Sequence, residues 1–234
     1  MKLKVCGMKY KDNITAVANL QPDFMGFIFY KTSARNFEDL GTISVPSSIK
    51  KVGVFVDEAI AVVKGKIKEF NLQVVQLHGN ESPGYCNELK RHFEKQSDRP
   101  STSKESDYRD YQKKPGTGSS VEIIKVFSIK DEFNFEVLQP YEAICDYYLF
   151  DTKGKLPGGN GYAFNWDVLK KYPSTKPYFL SGGIGIGDLE KIKAFKKNPA
   201  SKYCYAIDVN SKFEIEAGLK NSIELEKFKT HLVY

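Results

Sequence analysis

Runs of apolar residues recur along the chain, and most of them are nearly continuous rather than alternating with polar positions. Strands that are buried on both faces of a parallel sheet show this pattern. The runs cover residues 3–7, 24–30, 51–57, 74–79, 123–129, 147–152, 177–183 and 204–211. Amphipathic stretches with helical spacing lie between them, as at residues 59–70, 85–93, 164–172, 189–197 and 223–232. We therefore predict that strands and helices alternate along the chain.

Eightfold alternation of strand and helix is the signature of a closed parallel barrel. A doubly wound open sheet is the main alternative arrangement of the same elements. The length of 234 residues and the count of eight strand-like runs favour the barrel. We predict an α/β protein with a single domain, a (β/α)8 TIM barrel spanning residues 1–234.

One segment, residues 94–120, interrupts this rhythm. It is polar, rich in Ser, Lys, Asp and Gly, and lies between the fourth helix and the fifth strand of the predicted barrel. Helix-to-strand connections lie on the barrel face opposite the active site, and the entropy of loop closure rises slowly with loop length. We predict that 94–120 is a mobile insertion loop within the domain and not a linker.

Composition narrows the functional classes. The formal net charge is +6, and the lysines are spread along the chain without the basic stripe that would suggest nucleic-acid binding. The chain has no long apolar run and no signal-peptide core, so we expect no membrane span and a cytoplasmic protein. The four cysteines, at positions 6, 86, 145 and 204, lack metal-ligand spacing. We expect free thiols and no metal site.

In a barrel, catalytic groups occupy the carboxyl ends of the strands and the loops that follow them. Applied to the predicted strands, this rule selects a thiol, several carboxylates, an arginine, a histidine and a glycine-rich turn. The selected residues are Cys6, Arg35, Asp57, His78, Lys125, Ser128, Asp151, Ser181-Gly182-Gly183 and Asp208.

Two of these residues could carry acid–base chemistry. Cys6 could take a proton from carbon if nearby cations or a hydrogen bond populate its thiolate, but it could equally be a small buried apolar residue. Asp151 ends an apolar strand and could deliver a proton, or it could cap a helix or brace a loop. Position alone leaves both choices open.

Other residues of the set suit an anionic ligand. The planar fork of Arg35 matches a carboxylate, although a surface salt bridge is the simpler alternative. His78 could contact a substrate or bond to a backbone carbonyl. The turn Ser181-Gly182-Gly183 could present backbone N–H groups to a phosphate, or it could be a tight turn that needs positive φ.

The strand ends also carry short motifs in a fixed order. They are Lys4-Val5-Cys6-Gly7, Gly26-Phe27-Ile28-Phe29-Tyr30 with Ser33-Ala34-Arg35, Val52-Gly53-Val54-Phe55-Val56, Val75-Gln76-Leu77-His78-Gly79, Leu149-Phe150-Asp151-Thr152, Gly158-Gly159-Asn160-Gly161 with Phe164 and Trp166, and Leu180-Ser181-Gly182-Gly183-Ile184. Together they resemble the phosphoribosylanthranilate isomerase family over essentially the whole chain apart from the polar insertion. A single motif of this kind is weak, but seven in register are specific.

The resemblance implies an enzyme that needs no cofactor. The family isomerises N-(5-phospho-β-D-ribosyl)anthranilate to 1-(2-carboxyphenylamino)-1-deoxy-D-ribulose 5-phosphate, an Amadori rearrangement and the third step of tryptophan biosynthesis from chorismate. It implies Asp151 as the general acid and Cys6 as the general base. The substrate-binding positions that it implies are Arg35, His78, Ser181, Gly182, Gly183, Asp208, Asn210 and Ser211. Family members are monomers or homodimers, and some are fused to a second enzyme.

The chain departs from the family pattern near the predicted phosphate site. After Asp208-Val209, the usual Ser-Ser-Gly-Val-Glu is replaced by Asn210-Ser211-Lys212-Phe213-Glu214. Without that glycine the phosphate contacts of this loop stay open, and Lys212 would supply charge there if it points inward. Ala34 stands where proline is common, and the segment Gly185-Ile186-Gly187-Asp188 lacks the usual proline. We expect these two changes to affect rigidity more than chemistry.

Two classes of protein compete with this interpretation. Indole-glycerol-phosphate synthase and ribulose-phosphate epimerase are also phosphate-binding barrels, but they resemble this chain less, since one uses a lysine with glutamates and the other paired aspartates around a metal. A catalytically inactive barrel that serves only in binding is the second class. The joint presence of Cys6, Asp151 and Arg35 argues against it.

Overall fold

The computed structural model describes residues 1–38, 44–97, 121–152 and 164–233. Parallel strands form a closed barrel in which neighbours follow the order of the sequence and the eighth strand pairs with the first. The strands are β1 (Lys2–Val5), β2 (Phe24–Ile28), β3 (Lys50–Phe55), β4 (Val74–Leu77), β5 (Glu122–Ile129), β6 (Tyr147–Thr152), β7 (Tyr178–Leu180) and β8 (Cys204–Val209). The predicted (β/α)8 barrel is confirmed, and the open sheet is wrong.

Helices pack around the outside of the barrel. The described α-helices are α1 (Lys11–Asn19), α2 (Ile60–Phe70), α3 (Pro83–Ser97), α4 (Leu189–Lys196) and α5 (Ser222–Val233). Helix α2 shows how they attach, since Val63, Ile67 and Phe70 recur at helical spacing and are all buried. The ring of Phe70 meets that of Phe29, just after β2, at a centroid distance of 5.2 Å. None of the described helices is long and apolar enough to cross a membrane.

Two connections carry 3-10 helices where a regular barrel has α-helices. They are Phe135–Tyr141 between β5 and β6, and Trp166–Lys171 between β6 and β7. The first contains Pro140, which has no N–H to donate and interrupts regular helical bonding. The second lies where the hydrophobic pattern predicts a helix over 164–172, so the position is right and the helix type is tighter than expected.

Helix α3 continues into the segment predicted as an insertion loop. Residues 94–97 belong to this helix, as befits the helix-forming residues Glu94, Lys95 and Gln96. Residues 98–120 lie outside the described part of the chain, as do residues 153–163, which include the motif Gly158-Gly159-Asn160-Gly161. The flanks of 98–120 are the end of α3 and the start of β5, both at the face where the strands begin.

The loop after β8 forms a small hairpin that the pattern of apolar and polar residues does not predict. Strands β9 (Glu214–Glu216) and β10 (Leu219–Lys220) pair antiparallel, and Gly218 at φ +89° makes the turn between them. The side chain of Asn13 in α1 accepts a hydrogen bond from the backbone N–H of Lys220 (2.8 Å) and donates one to its carbonyl (2.8 Å). The hairpin is thereby fixed to the first helix of the barrel.

Candidate active site

A cavity of about 470 Å³ opens at the carboxyl ends of the strands. Every residue to which the family resemblance gives a catalytic or binding role lines it, in agreement with the geometry of barrel enzymes. These residues are Cys6, Arg35, His78, Asp151, Ser181, Gly182, Gly183, Asp208, Asn210 and Ser211. Ile28, Val54 and Val56 form an apolar part of the wall at the ends of β2 and β3. The cavity therefore combines an apolar surface with a set of polar and ionisable groups.

Cys6 lies at the end of β1, where its backbone N–H donates to the carbonyl of Val209 over 2.9 Å. The thiol is buried, yet it lines the cavity. A Cβ atom on Gly26 of the neighbouring strand would approach Sγ to 2.8 Å, so the position of the sulfur requires glycine there. Burial raises the pKa of the Cys6 thiol, while the ammonium groups of Lys4 and Lys220 act to lower it.

Lys4 shares the inward face of β1 with Cys6, two residues further on. Its ammonium forms a fully buried ion pair with Asp208, with Nζ 2.8 Å from Oδ1. Asp208 Oδ2 also accepts a hydrogen bond from the Ser181 hydroxyl at 3.3 Å. Burial raises the pKa of Asp208, and Lys4 opposes the rise. Both carboxylate oxygens of this predicted binding residue are thus engaged by the protein itself.

Asp151, on β6, is held by His78, which follows β4 and is itself contacted by Gln76 of that strand. Its Oδ2 lies 3.4 Å from His78 Nε2, and its Oδ1 accepts the backbone N–H of Thr152 at 3.0 Å. The amide nitrogen of Gln76 lies 3.2 Å from His78 Nδ1. An amide nitrogen can only donate, so this contact fits the tautomer that carries its ring proton on Nε2, the nitrogen that faces Asp151. His78 therefore contacts two side chains and not the backbone carbonyl considered as an alternative.

Arg35, which lines the cavity, forms the salt bridge that the sequence left as an alternative, but with a buried carboxylate of the hairpin after β8 and not at the surface. Its Nε and Nη2 lie 2.6–3.0 Å from the carboxylate oxygens of Glu214 at the start of β9. Hydrogen bonding to Glu214 raises the pKa of Arg35. A guanidinium carries five N–H donors, so one carboxylate does not exhaust it. Arg35 can hold Glu214 and still receive an anionic ligand.

The turn after β7 requires glycine. Gly182 and Gly183 have φ values of +99° and +64°, and a Cβ atom on Gly182 would lie 2.1 Å from Thr152 Oγ1. Both glycines line the cavity, so the tight turn and a ligand-binding backbone are compatible readings of one motif. Lys212, which replaces the glycine usual in the family, also lines the cavity. Its Cβ would lie 3.0 Å from a Cβ atom on Gly185, so Lys212 packs beside this turn.

Comparison with known proteins shows which family shares this sequence. The family model described as N-(5'phosphoribosyl)anthranilate (PRA) isomerase matches residues 3–114 and 105–230. The chain belongs to this isomerase family. N-(5'-phosphoribosyl)anthranilate isomerase of Phocaeicola vulgatus is 34% identical over 232 residues, covering 99% of this chain and 98% of the relative. The enzyme of the same name from Parabacteroides distasonis is 36% identical over 239 residues, covering 100% of this chain and 94% of the relative.

The likeness extends to solved structures of the family. Phosphoribosyl anthranilate isomerase from Thermotoga maritima superimposes with a TM-score of 0.76 at 22% identity. The superposition covers 100% of this chain and 98% of that chain. At this identity the likeness concerns the fold, and it agrees with the closed barrel described above.

Two strand-end candidates serve the fold of this family member rather than its cavity. Lys125 Nζ pairs with Glu81 Oε2 at 3.1 Å and donates to the carbonyls of Leu77 (3.3 Å) and Gly79 (2.8 Å). Asp57 Oδ1 accepts the backbone N–H of Asn80 at 2.5 Å. Both hold the loop that follows His78. The third such candidate, Ser128, is exposed to solvent at the end of β5.

Four residues of the site were missed by sequence reasoning. They are Lys4, Gln76, Glu214 and Lys220. The first two had a usable signal, since each is a polar residue at an inward position of an otherwise apolar strand. The other two lie in the hairpin after β8, and no local pattern in the sequence places that hairpin beside the cavity. Within the described residues, no group of His, Cys, Asp and Glu side chains is arranged to hold a metal ion.

Proposed function

We propose that this protein is the phosphoribosylanthranilate isomerase of tryptophan biosynthesis. It converts N-(5-phospho-β-D-ribosyl)anthranilate to 1-(2-carboxyphenylamino)-1-deoxy-D-ribulose 5-phosphate in the cytoplasm, as the third step from chorismate. The supporting observation is that Cys6 and Asp151 line one cavity together with Arg35 and the Gly182-Gly183 turn. Family membership over nearly the whole chain supports the same substrate.

The cavity has a suitable partner for each part of this substrate. Arg35 can bind the anthranilate carboxylate through the donors that Glu214 does not use. The apolar wall of Ile28, Val54 and Val56 suits the aromatic ring. The backbone N–H groups of the turn after β7 and the ammonium of Lys212 suit the phosphate. A substrate bound by its carboxylate at one end and its phosphate at the other would span the cavity, with its sugar near Cys6 and Asp151.

In the first step Asp151 acts as the general acid. It donates its proton to the furanose ring oxygen, and the bond between that oxygen and C1′ breaks. The lone pair of the anilino nitrogen forms the C1′=N bond, which gives an open-chain protonated Schiff base. His78 and the N–H of Thr152 fix the carboxyl group from two sides, so the acid is held in position for the transfer.

In the second step Cys6 acts as the general base. Its thiolate removes the proton from C2′, the C1′=C2′ bond forms, and the electron pair of the C=N bond returns to nitrogen. The resulting enolamine takes a proton at C1′ and releases the proton of its C2′ hydroxyl, which gives the ketone with no net change in protons. Each acid–base role is expected to contribute about 10²–10⁴-fold to the rate.

A direct fluorescence assay with freshly generated phosphoribosylanthranilate tests the proposal. The purified protein should consume the substrate faster than its spontaneous decay, and the Asp151→Asn variant should do so at least about 10²-fold more slowly than the unchanged protein. Expression of the chain should also restore growth without tryptophan to a strain that lacks this isomerase. Folded protein that neither turns over the substrate nor supports growth would rule the function out.

A further inference from the structure

Lys220 is a buried ammonium that reaches the catalytic end of the barrel from a distant part of the sequence. It is the last residue of β10, and its exposed fraction is 1%. Its Nζ donates to Asn210 Oδ1 and to Glu214 Oε1, both at 2.6 Å. Lysine is almost never buried to this degree without such partners. The hairpin therefore places a fixed positive charge in the interior of the protein.

This charge lies close to Cys6. Asn210, which Lys220 binds, packs against Gly7, where a Cβ atom would lie 2.7 Å from Oδ1. Arg35 packs on the same glycine, with Cδ 2.9 Å from that position. Burial raises the pKa of Cys6 and lowers that of Lys220, and each group partly offsets this effect of burial on the other. The thiol and the ammonium thus interact electrostatically.

The buried charges around Cys6 are unbalanced while the thiol is neutral. The cations are Lys4, Arg35 and Lys220, and the carboxylates are Asp208 and Glu214. Asp208 pairs with Lys4, whereas Glu214 is shared by Arg35 and Lys220. One positive charge is therefore in excess when Asp151, which lines the same cavity, carries the proton that it donates as the general acid, and an uncompensated buried charge is costly. A thiolate at Cys6 would balance it.

We propose that Lys220 is a positioning residue of this active site, an inference that rests on the proposed function. Its ammonium balances the thiolate of Cys6, and its bond to Glu214 orients the carboxylate that holds Arg35. One lysine thereby links the base that takes the C2′ proton to the arginine that binds the substrate carboxylate. The two bonds from Asn13 to its backbone keep it in place.

The pH dependence of Cys6 alkylation by iodoacetamide, followed by mass spectrometry of the Cys6 peptide, tests the first part. Only the thiolate reacts, so the midpoint of the profile reports how readily the thiol ionises. Lys220→Met should move the midpoint to higher pH by about one unit, a typical perturbation for a charged neighbour. Lys220→Arg keeps the positive charge, so its midpoint should lie close to that of the unchanged protein. The other charged groups that face the thiol, Lys4, Asp208 and Arg35, are unchanged in these variants.

A second variant separates charge from structural damage. Glu214→Gln removes an anion and leaves the positive charge of Lys220 unmatched, so the alkylation midpoint should fall. The same variant should raise KM because Arg35 loses its anchor. Loosening of the hairpin alone would shift both variants in the same direction. Lys90→Met is the matched control, since Lys90 pairs with Asp146 at the opposite end of the barrel, with Nζ 2.6 Å from Oδ1.

The outcomes are decisive in either direction. Opposite shifts in Lys220→Met and Glu214→Gln, with the Lys90→Met profile unchanged, support the proposal. A wild-type midpoint in folded Lys220→Met, or shifts of the same sign in both variants, overturns it. Should Lys220→Met fail to fold, the sign of the Glu214→Gln shift decides. The alkylation needs no substrate, so this result stands even where the isomerase assay fails.

Discussion

The two ends of the barrel interior use the same strands in opposite ways. At the amino end, the rings of Phe24, Phe179, Tyr147 and Tyr205 close the interior, with Phe24 and Phe179 at a centroid distance of 5.2 Å and Tyr147 stacked on Tyr205 at 5.1 Å. Only aliphatic residues accompany them in this buried cluster. At the carboxyl end, ionisable and polar residues face the interior beside the apolar wall of Ile28, Val54 and Val56. One sheet thus combines a hydrophobic plug with a charged cavity.

Successive inward positions of a single strand show how closely the two regions adjoin. On β8, Ala206 belongs to the plug and Asp208 to the cavity, and on β4 the same holds for Val74 and Gln76. Every second side chain of a strand points to the same face, so the plug and the cavity are one inward position apart on these strands. Buried polar groups are costly unless they are paired. We infer that the plug supplies stability that the cavity, with its buried charges, does not.

The largest effect should follow from changes in the acid–base pair. Cys6→Ser and Asp151→Asn should each lower kcat by about 10²–10⁴-fold, because each removes one of the two groups that we propose to transfer protons. Thermal unfolding should change little, since both substitutions nearly preserve shape. Steady-state kinetics with each variant and a melting curve provide the measurement. Near-normal turnover in either variant would remove that residue from the mechanism.

The contrast between the regions explains what the sequence can predict. The plug and the strands follow from apolar runs, because burial on both faces leaves a strong local signal. Strand ends then give the cavity residues such as Cys6 and Asp151, since barrel geometry gathers them. Lys220 and Glu214 act through a hairpin whose path depends on contacts with α1, and such contacts leave no periodic trace. Sequence patterns therefore locate the proposed reacting groups more readily than the buried charges beside them.

A substitution in the plug should lower stability and leave kcat unchanged, the opposite of the result expected for Cys6 and Asp151. Phe179→Ala should lower the free energy of unfolding by about 3–5 kcal/mol, the usual cost of removing a buried aromatic ring. Folded protein at low temperature should keep its kcat, because the ring lies below the cavity. Denaturant unfolding and kinetics on the same sample provide the test. A fall in kcat larger than the fall in folded fraction would show that the two regions are not separable.

Arg35 should give a smaller effect that falls on substrate binding. Arg35→Met removes charge-assisted hydrogen bonds to the substrate carboxylate, which contribute about 1.5–3 kcal/mol, so KM should rise about 10- to 100-fold. We expect a smaller change in kcat, since the proton-transfer groups remain. Arg35→Lys is the matched variant, because it keeps the charge and loses the planar fork. An unchanged KM in Arg35→Met would mean that Arg35 serves only to hold Glu214.

The smallest effect is expected at the face where the plug lies. The segment 98–120 connects the end of α3 to the start of β5, and both of these flanks lie on the side away from the cavity. Replacing it with a short Gly-Ser linker should leave kcat/KM within about twofold and stability within about 1 kcal/mol, since loop closure depends weakly on length. Kinetics and denaturant unfolding of the shortened chain, beside the full chain, measure both. A tenfold loss of kcat/KM in folded protein would show that this segment reaches the cavity, and the separation between a structural end and a chemical end would fail there.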